Sequence, residues 1–145
     1  MKNNMWKKVI FAMLFGVLPG VSAQADFDDD LLTYVIIRDT FTEMEGTWTP
    51  YAISVADGKA IILLEQPAIS LDFVLTALPH GVCAYATEDD ERYLRSVNEV
   101  AILNKRGDQG YIFNGSSDAC KEIYGAQKEH SDALIRSRLR SHELQ

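Results

Sequence analysis

YAISVADGKAIILLE, residues 51 to 65, places two β-forming runs on either side of Asp57-Gly58. A two-residue type I′ turn needs positive φ at both central positions, which Asp-Gly supplies, so the stretch predicts a tight hairpin. Pro67 stops the second run. Ser70 then offers an N-cap to SLDFVLTAL (70–78), where Leu71, Val74, Leu75 and Leu78 recur at helical spacing.

Further along, GVCAYA (81–86) reads as a strand, and Thr87 caps a helix that opens on Glu88-Asp89-Asp90 and turns Tyr93, Leu94 and Val97 inward. VAILNKRGDQGYIFNG (100–115) predicts a second hairpin around Lys105 to Gly110. SSDACKEIYGA (116–126) predicts a helix with Cys120, Ile123 and Tyr124 on one face. QKEHSDALIRSRLRSHELQ (127–145) predicts a frayed, solvated C-terminal helix, its apolar edge limited to Leu134, Ile135 and Leu139.

Upstream of the first hairpin, DFDDDLL (26–32) sets four acids before an apolar segment. Acids suit a first helical turn, which predicts a helix over 29–43, although the β-formers from Thr33 to Ile37 leave a strand as the alternative. The same acids lack the spaced oxygens, central Gly and terminal Glu of a calcium loop. The expected fold is therefore one α+β domain over 26–145. It has a small antiparallel sheet of about four strands, built from two hairpins and the Cys83 strand, with helices packed on it and one disulfide.

Residues 1–25 lie outside that domain. Lys2, Lys7 and Lys8 form a positive leader, VIFAMLFGVLPGV (9–21) is apolar, and Val21-Ser22-Ala23 and Ala23-Gln24-Ala25 are two cleavage frames. This is the layout of a secretory signal peptide. The apolar run is shorter than the ~20 residues of a spanning helix, and Pro19-Gly20 breaks its end. The expected location is periplasmic or secreted, with no stable membrane insertion after cleavage.

Export bears on the two cysteines. In an oxidising compartment Cys83 and Cys120 are expected to pair, closing a loop worth roughly 4 kcal/mol in the chain-entropy model. The competing reading makes Cys83 a thiolate with His80 as its base. His80 sits in Pro79-His80-Gly81, a turn, and no orienting acid stands nearby in sequence.

The chain carries 14 Lys and Arg against 21 Asp and Glu, a net charge of −7. Such a surface repels nucleic acid and attracts a basic protein. The expected docking residues are Glu88, Asp89, Asp90 and Glu91. There is no His-Glu-x-x-His, no Gly-x-Ser-x-Gly and no Gly-rich phosphate loop, and His130 and His142 form no ligand motif. Arg106-Gly107-Asp108 is an adhesive tripeptide but also ordinary turn chemistry. No metal, catalytic residue or cofactor is expected. The reading that follows is an exported, acidic, non-catalytic protein-binding module of the inhibitor, immunity or envelope-assembly type. The alternative is a small exported hydrolase using a carboxylate pair or His80.

Overall fold

A computed structural model describes residues 18–44, 46–86 and 91–145, with side chains from Phe27 onward other than that of Thr47. Helix α1 (Leu18–Glu43) leads into β1 (Pro50–Ala56) and β2 (Lys59–Leu64). Helix α2 (Leu71–Ala77) runs into a π turn (Leu78–Val82) and a 3₁₀ turn (Cys83–Tyr85). Strands β3 (Glu99–Leu103) and β4 (Gln109–Asn114), helices α3 (Ser117–Gly125) and α4 (Lys128–Arg138), and strand β5 (Leu139–Glu143) complete the α+β fold.

The Asp57-Gly58 hairpin forms as its sequence demands: Asp57 has φ 53° and Gly58 φ 78°, and Ala56 pairs with Lys59. Ser70 caps α2, its hydroxyl accepting from the Phe73 N–H at 3.1 Å. Helix α1 buries Asp29, Thr33, Ile37, Thr40 and Phe41. That is a 3.6-residue stripe, which settles the helix over the strand alternative.

The sheet differs from expectation in size and sense. It has five strands in the order β1-β2-β3-β4-β5, and β2 and β3 run parallel, with Ile62 opposite Ile102. Sequential hairpins would have made every pair antiparallel. Here the chain leaves the end of β2, crosses the sheet through α2 and the two turns, and re-enters beside β2 in the same direction. The fifth strand replaces the C-terminal part of the frayed helix expected over 127–145. α4 ends at Arg138, and Leu139 to Glu143 pair with Phe113 to Gln109. Burial of Ile135 at 0% exposure anchors this end.

GVCAYA is likewise not a strand. Pro79 has no N–H to return to Leu75, so the helix continues as a wider π turn in which the Cys83 N–H reaches the Leu78 carbonyl. A short, wholly apolar run fits a buried turn as well as a strand. Cys83 and Cys120 are disulfide-bonded, with Cα atoms 4.7 Å apart, and both are fully buried. The bridge therefore ties the 3₁₀ turn, not a strand, to α3. Thr87 to Asp90, the predicted start of a helix, lie outside the described residues. Glu91 to Ser96 form turns, and Leu94 takes φ 59°, which a helix does not allow.

The β3–β4 connection is held by Asn104, which is 1% exposed. Its carbonyl accepts from the N–H groups of Asp108 and Gln109, and its amide donates to the Pro67 carbonyl and the Asp108 carboxylate. The Asp108 carboxylate also pairs with Arg106 at 3.1 Å. Arg106-Gly107-Asp108 thus serves the turn. Gly110 has φ 152°, and a Cβ there would stand 2.2 Å from the Ile102 carbonyl, so only glycine lets β4 approach β3 at this point.

Candidate functional site

Three surfaces hold the chemistry the sequence singled out or left unexplained. The first is an acidic seam. The N-terminal part of α1 lies against the 92–96 turn: Asp29 accepts from Arg92 at 2.9 Å and from Arg95 at 2.7 Å, Asp30 accepts from Ser96 at 2.6 Å, and the Thr33 hydroxyl accepts from the Leu94 N–H at 3.1 Å. The hydrogen bond from Arg92, reinforced by Arg95, outweighs burial and holds the Asp29 carboxyl below its usual range. Arg92 and Arg95 therefore neutralise one of the four acids of the DFDDDLL stretch. Of the four expected docking residues, Glu91 is exposed at the edge of this seam, and Glu88, Asp89 and Asp90 lie outside the described residues.

The second surface is a face of the sheet. Alternate residues Ile53, Val55, Ala60, Ile62, Leu64, Val100, Ile102 and Phe113 join the helices in the hydrophobic core. Their neighbours point the other way. Strand register aligns Ser54, Ile61, Ala101, Ile112 and Arg140 in one row, and Ala52, Leu63, Leu103, Gly110 and His142 in the next. None of these apolar residues belongs to the core that the helices cover. Ala101 and Leu103 are nevertheless nearly buried, at 7% and 6% exposure, with Ile61 and Ile112 beside Ala101 and Leu63 beside Leu103. One end of this face is charged but balanced: Glu99 accepts from Arg140 at 3.0 Å and sits 3.7 Å from Lys59. The Arg140 hydrogen bond is the main reason the Glu99 carboxyl lies below its ordinary range.

The third surface is a groove of about 280 Å³ between the π turn and the α3–α4 junction. Leu75, Pro79 and Ile123 give it apolar walls, and His80, Tyr124, Lys128, Ser131 and Asp132 give it polar ones. Cys83, His80's proposed partner, is instead buried and oxidised, so the thiolate reading of LPHGVCAYA is closed. No hydrogen bond joins His80 to Ser131 or Asp132 among the described residues, and the Asp132 carboxylate is held by Lys128 at 2.8 Å. Among the described residues no three His, Cys, Asp or Glu side chains group as metal ligands, and no helix is long and apolar enough to cross a membrane.

The sequence missed the sheet face and the groove for different reasons. Ile61 and Leu63 read as part of a buried apolar run, and only register reveals that they leave the core. His80 and Ser131 are 51 positions apart and meet through the fold. Compared with family models, with curated proteins and with solved structures, the chain matches none of them.

Proposed function

We propose that this chain is an exported, non-catalytic protein-binding module that inhibits, neutralises or assists another protein outside the cytoplasm. The observation that supports this most is the sheet face that no described helix covers, where Ile61, Leu63 and Ile112 are partly exposed beside the exposed small residues Ala52 and Ser54. An apolar surface rimmed by polar groups suits another protein better than a small substrate, which calls for an enclosing pocket. The leader pattern of residues 1–25 and the Cys83–Cys120 bridge support a periplasmic or secreted location. The net charge of −7 and the segment Glu88 to Glu91 favour a basic partner, whose on-rate falls as salt screens charge beyond ~8 Å.

One observation favours the hydrolase reading: His80, Ser131 and Asp132 line one groove. A single experiment separates the two. The mature protein is used to capture partners from an envelope or secreted fraction at low and high salt, beside a broad hydrolase screen. Capture should be lost in an Ile61→Lys, Leu63→Lys double variant, weakened in Asp89→Asn, Asp90→Asn and at high salt, and retained in His80→Ala. A turnover that disappears in His80→Ala, with no capture under any condition, would replace the binding reading with the hydrolase.

A further inference from the structure

We infer that this chain pairs with a second copy of itself through the outer edge of β1, in antiparallel sense about a two-fold axis at Ser54. Strand β1 stands at one end of the sheet order and pairs with β2 alone among the described strands. Ala56 and Lys59 close the Asp57-Gly58 turn, and the direction of bonding alternates along an antiparallel ladder. Ala56, Ser54 and Ala52 therefore turn their backbone groups to β2. Ile53 and Val55 turn theirs outward, and no described residue meets those N–H and C=O groups.

An open edge of this kind is a template for another strand, and proteins blunt it with charge, proline or a bulge. The opposite edge is blunted, since β5 carries Arg140, His142 and Glu143. β1 has no charged side chain from Tyr51 to Ala56, and its proline and its bulge lie at the start, between Pro50 and Ala52, before the residues with free groups. Ile53 and Val55 already pack on the core at the helix side, and Ala52, Ser54 and Ala56 are small and exposed on the other. The strand's own side chains thus do not obstruct an approaching one.

Charge selects the occupant. A net charge of −7 makes two copies repel unless they meet on a neutral surface. Around β1 the charges are balanced, Lys59 lying 3.7 Å from Glu99 and Lys105 lying 3.1 Å from Glu65. A basic partner gains nothing from this edge, whereas a second copy meets little repulsion there. The free groups then fix the register. A pairing centred on Ser54 sets Ile53 of each copy against Val55 of the other, while moving the centre by one residue would enlist the bulged Tyr51 or the turn residue Asp57. Each Ile53–Val55 pair exchanges two hydrogen bonds. Asp57 of one copy comes opposite Tyr51 of the other, where Lys105 stands 4.7 Å from the ring centroid. The contact is isologous, so it closes at a dimer and joins the two five-stranded sheets into one. It uses neither Ile61 nor Ile112, and so is separate from the proposed docking face.

The test is sedimentation equilibrium of the mature protein from ~1 to ~500 μM, which brackets the weak affinity of a small interface. Monomer should give way reversibly to dimer and to nothing larger. Val55→Pro removes an outward N–H, a change that edge positions tolerate, and should weaken the dimer about tenfold or more. Ser54→Lys and Ser54→Glu, at an exposed position, should each weaken it several-fold because like charges meet across the axis. An equimolar mixture of the two should restore it. The Ser54 variants decide alone should Val55→Pro not fold. A monomer at every concentration, growth beyond a dimer, a dimer unchanged by Ser54→Lys, or a mixture no tighter than either variant alone would each overturn the pairing. Mass is read here and capture is read with the Ile61→Lys, Leu63→Lys variant, so failure of one reading is distinguishable from failure of the other.

Discussion

Arg95 donates two hydrogen bonds to one carboxylate oxygen of Asp29, at 3.0 and 2.7 Å, across 66 positions of sequence. Arg92 takes the other oxygen at 2.9 Å. The carboxylate is buried, while both guanidinium groups are about half exposed, so the arrangement fixes α1 to the 92–96 turn without burying an unpaired charge. It also supports Leu94, which occupies the left-handed region at φ 59°.

Asp29→Asn should therefore lower stability by about 1–2 kcal/mol, the scale of a charge-assisted hydrogen bond weakened by solvent on the arginine side. The pH dependence follows from the lowered carboxyl. A carboxylate whose folded pKa lies below its unfolded value adds stability above the unfolded value, ~3.9, and loses it as pH falls through the folded one. Urea unfolding between pH 7 and pH 2 should show a shallower loss at the acid end for Asp29→Asn. An unchanged acid limb would mean the pair contributes nothing.

The bridge gives a second expectation. Cys83→Ser or Cys120→Ser should cost roughly 2–4 kcal/mol, since the bridge closes a 37-residue separation and both sulfurs are fully buried. For the same reason a mild thiol reductant should act on the native protein only as fast as it opens. Thiol release that tracks unfolding in denaturant checks this, and fast release from the folded protein would refute it.

Gly110→Ala should be among the most damaging single changes, at roughly 2–4 kcal/mol. The new methyl meets the Ile102 carbonyl at 2.2 Å and the Leu103 Cα at 2.8 Å, at a backbone angle that side chains disfavour. Thermal unfolding of this variant beside Gly125→Ala, where nothing lies within 4 Å of the added Cβ, isolates the contact from the general effect of losing a glycine.

How much of this was legible follows from how local each signal is. Asp57-Gly58, Ser70 before Leu71, and the apolar runs around 105–110 carry their own instructions, and those elements appear within a residue or two of where the sequence places them. β5 carries none. LRSHE has neither a β-branched residue nor a turn signal before it, and it becomes a strand because β4 offers an open edge at Phe113 to Gln109. The Cys83 turn failed for the opposite reason, since a fully buried apolar run looks the same in either conformation. Among the site residues, Cys83 and Cys120 were readable from compartment logic. The groove was not, because its walls come from four segments that only the crossover between β2 and β3 and the α3–α4 junction bring together.

The facing of β2 makes the last expectation the most direct test of the proposed docking surface. Ile61 and Ile62 are adjacent in sequence and chemically identical, yet Ile62 is fully buried in the helix-covered core and Ile61 is half-buried on the face that no described helix covers. Ile62→Ala should cost about 3–4 kcal/mol, combining lost transfer energy with a cavity that the packed core cannot close. Ile61→Ala removes the same atoms from a site partly open to solvent, so it should cost less, about 1 kcal/mol. Equal losses in urea unfolding would mean that the face is covered in the native protein and is not available to a partner. A small loss for Ile61→Ala together with weakened capture would show a residue kept apolar for contact with another molecule instead of for the fold, and that difference is the physical signature of a docking face.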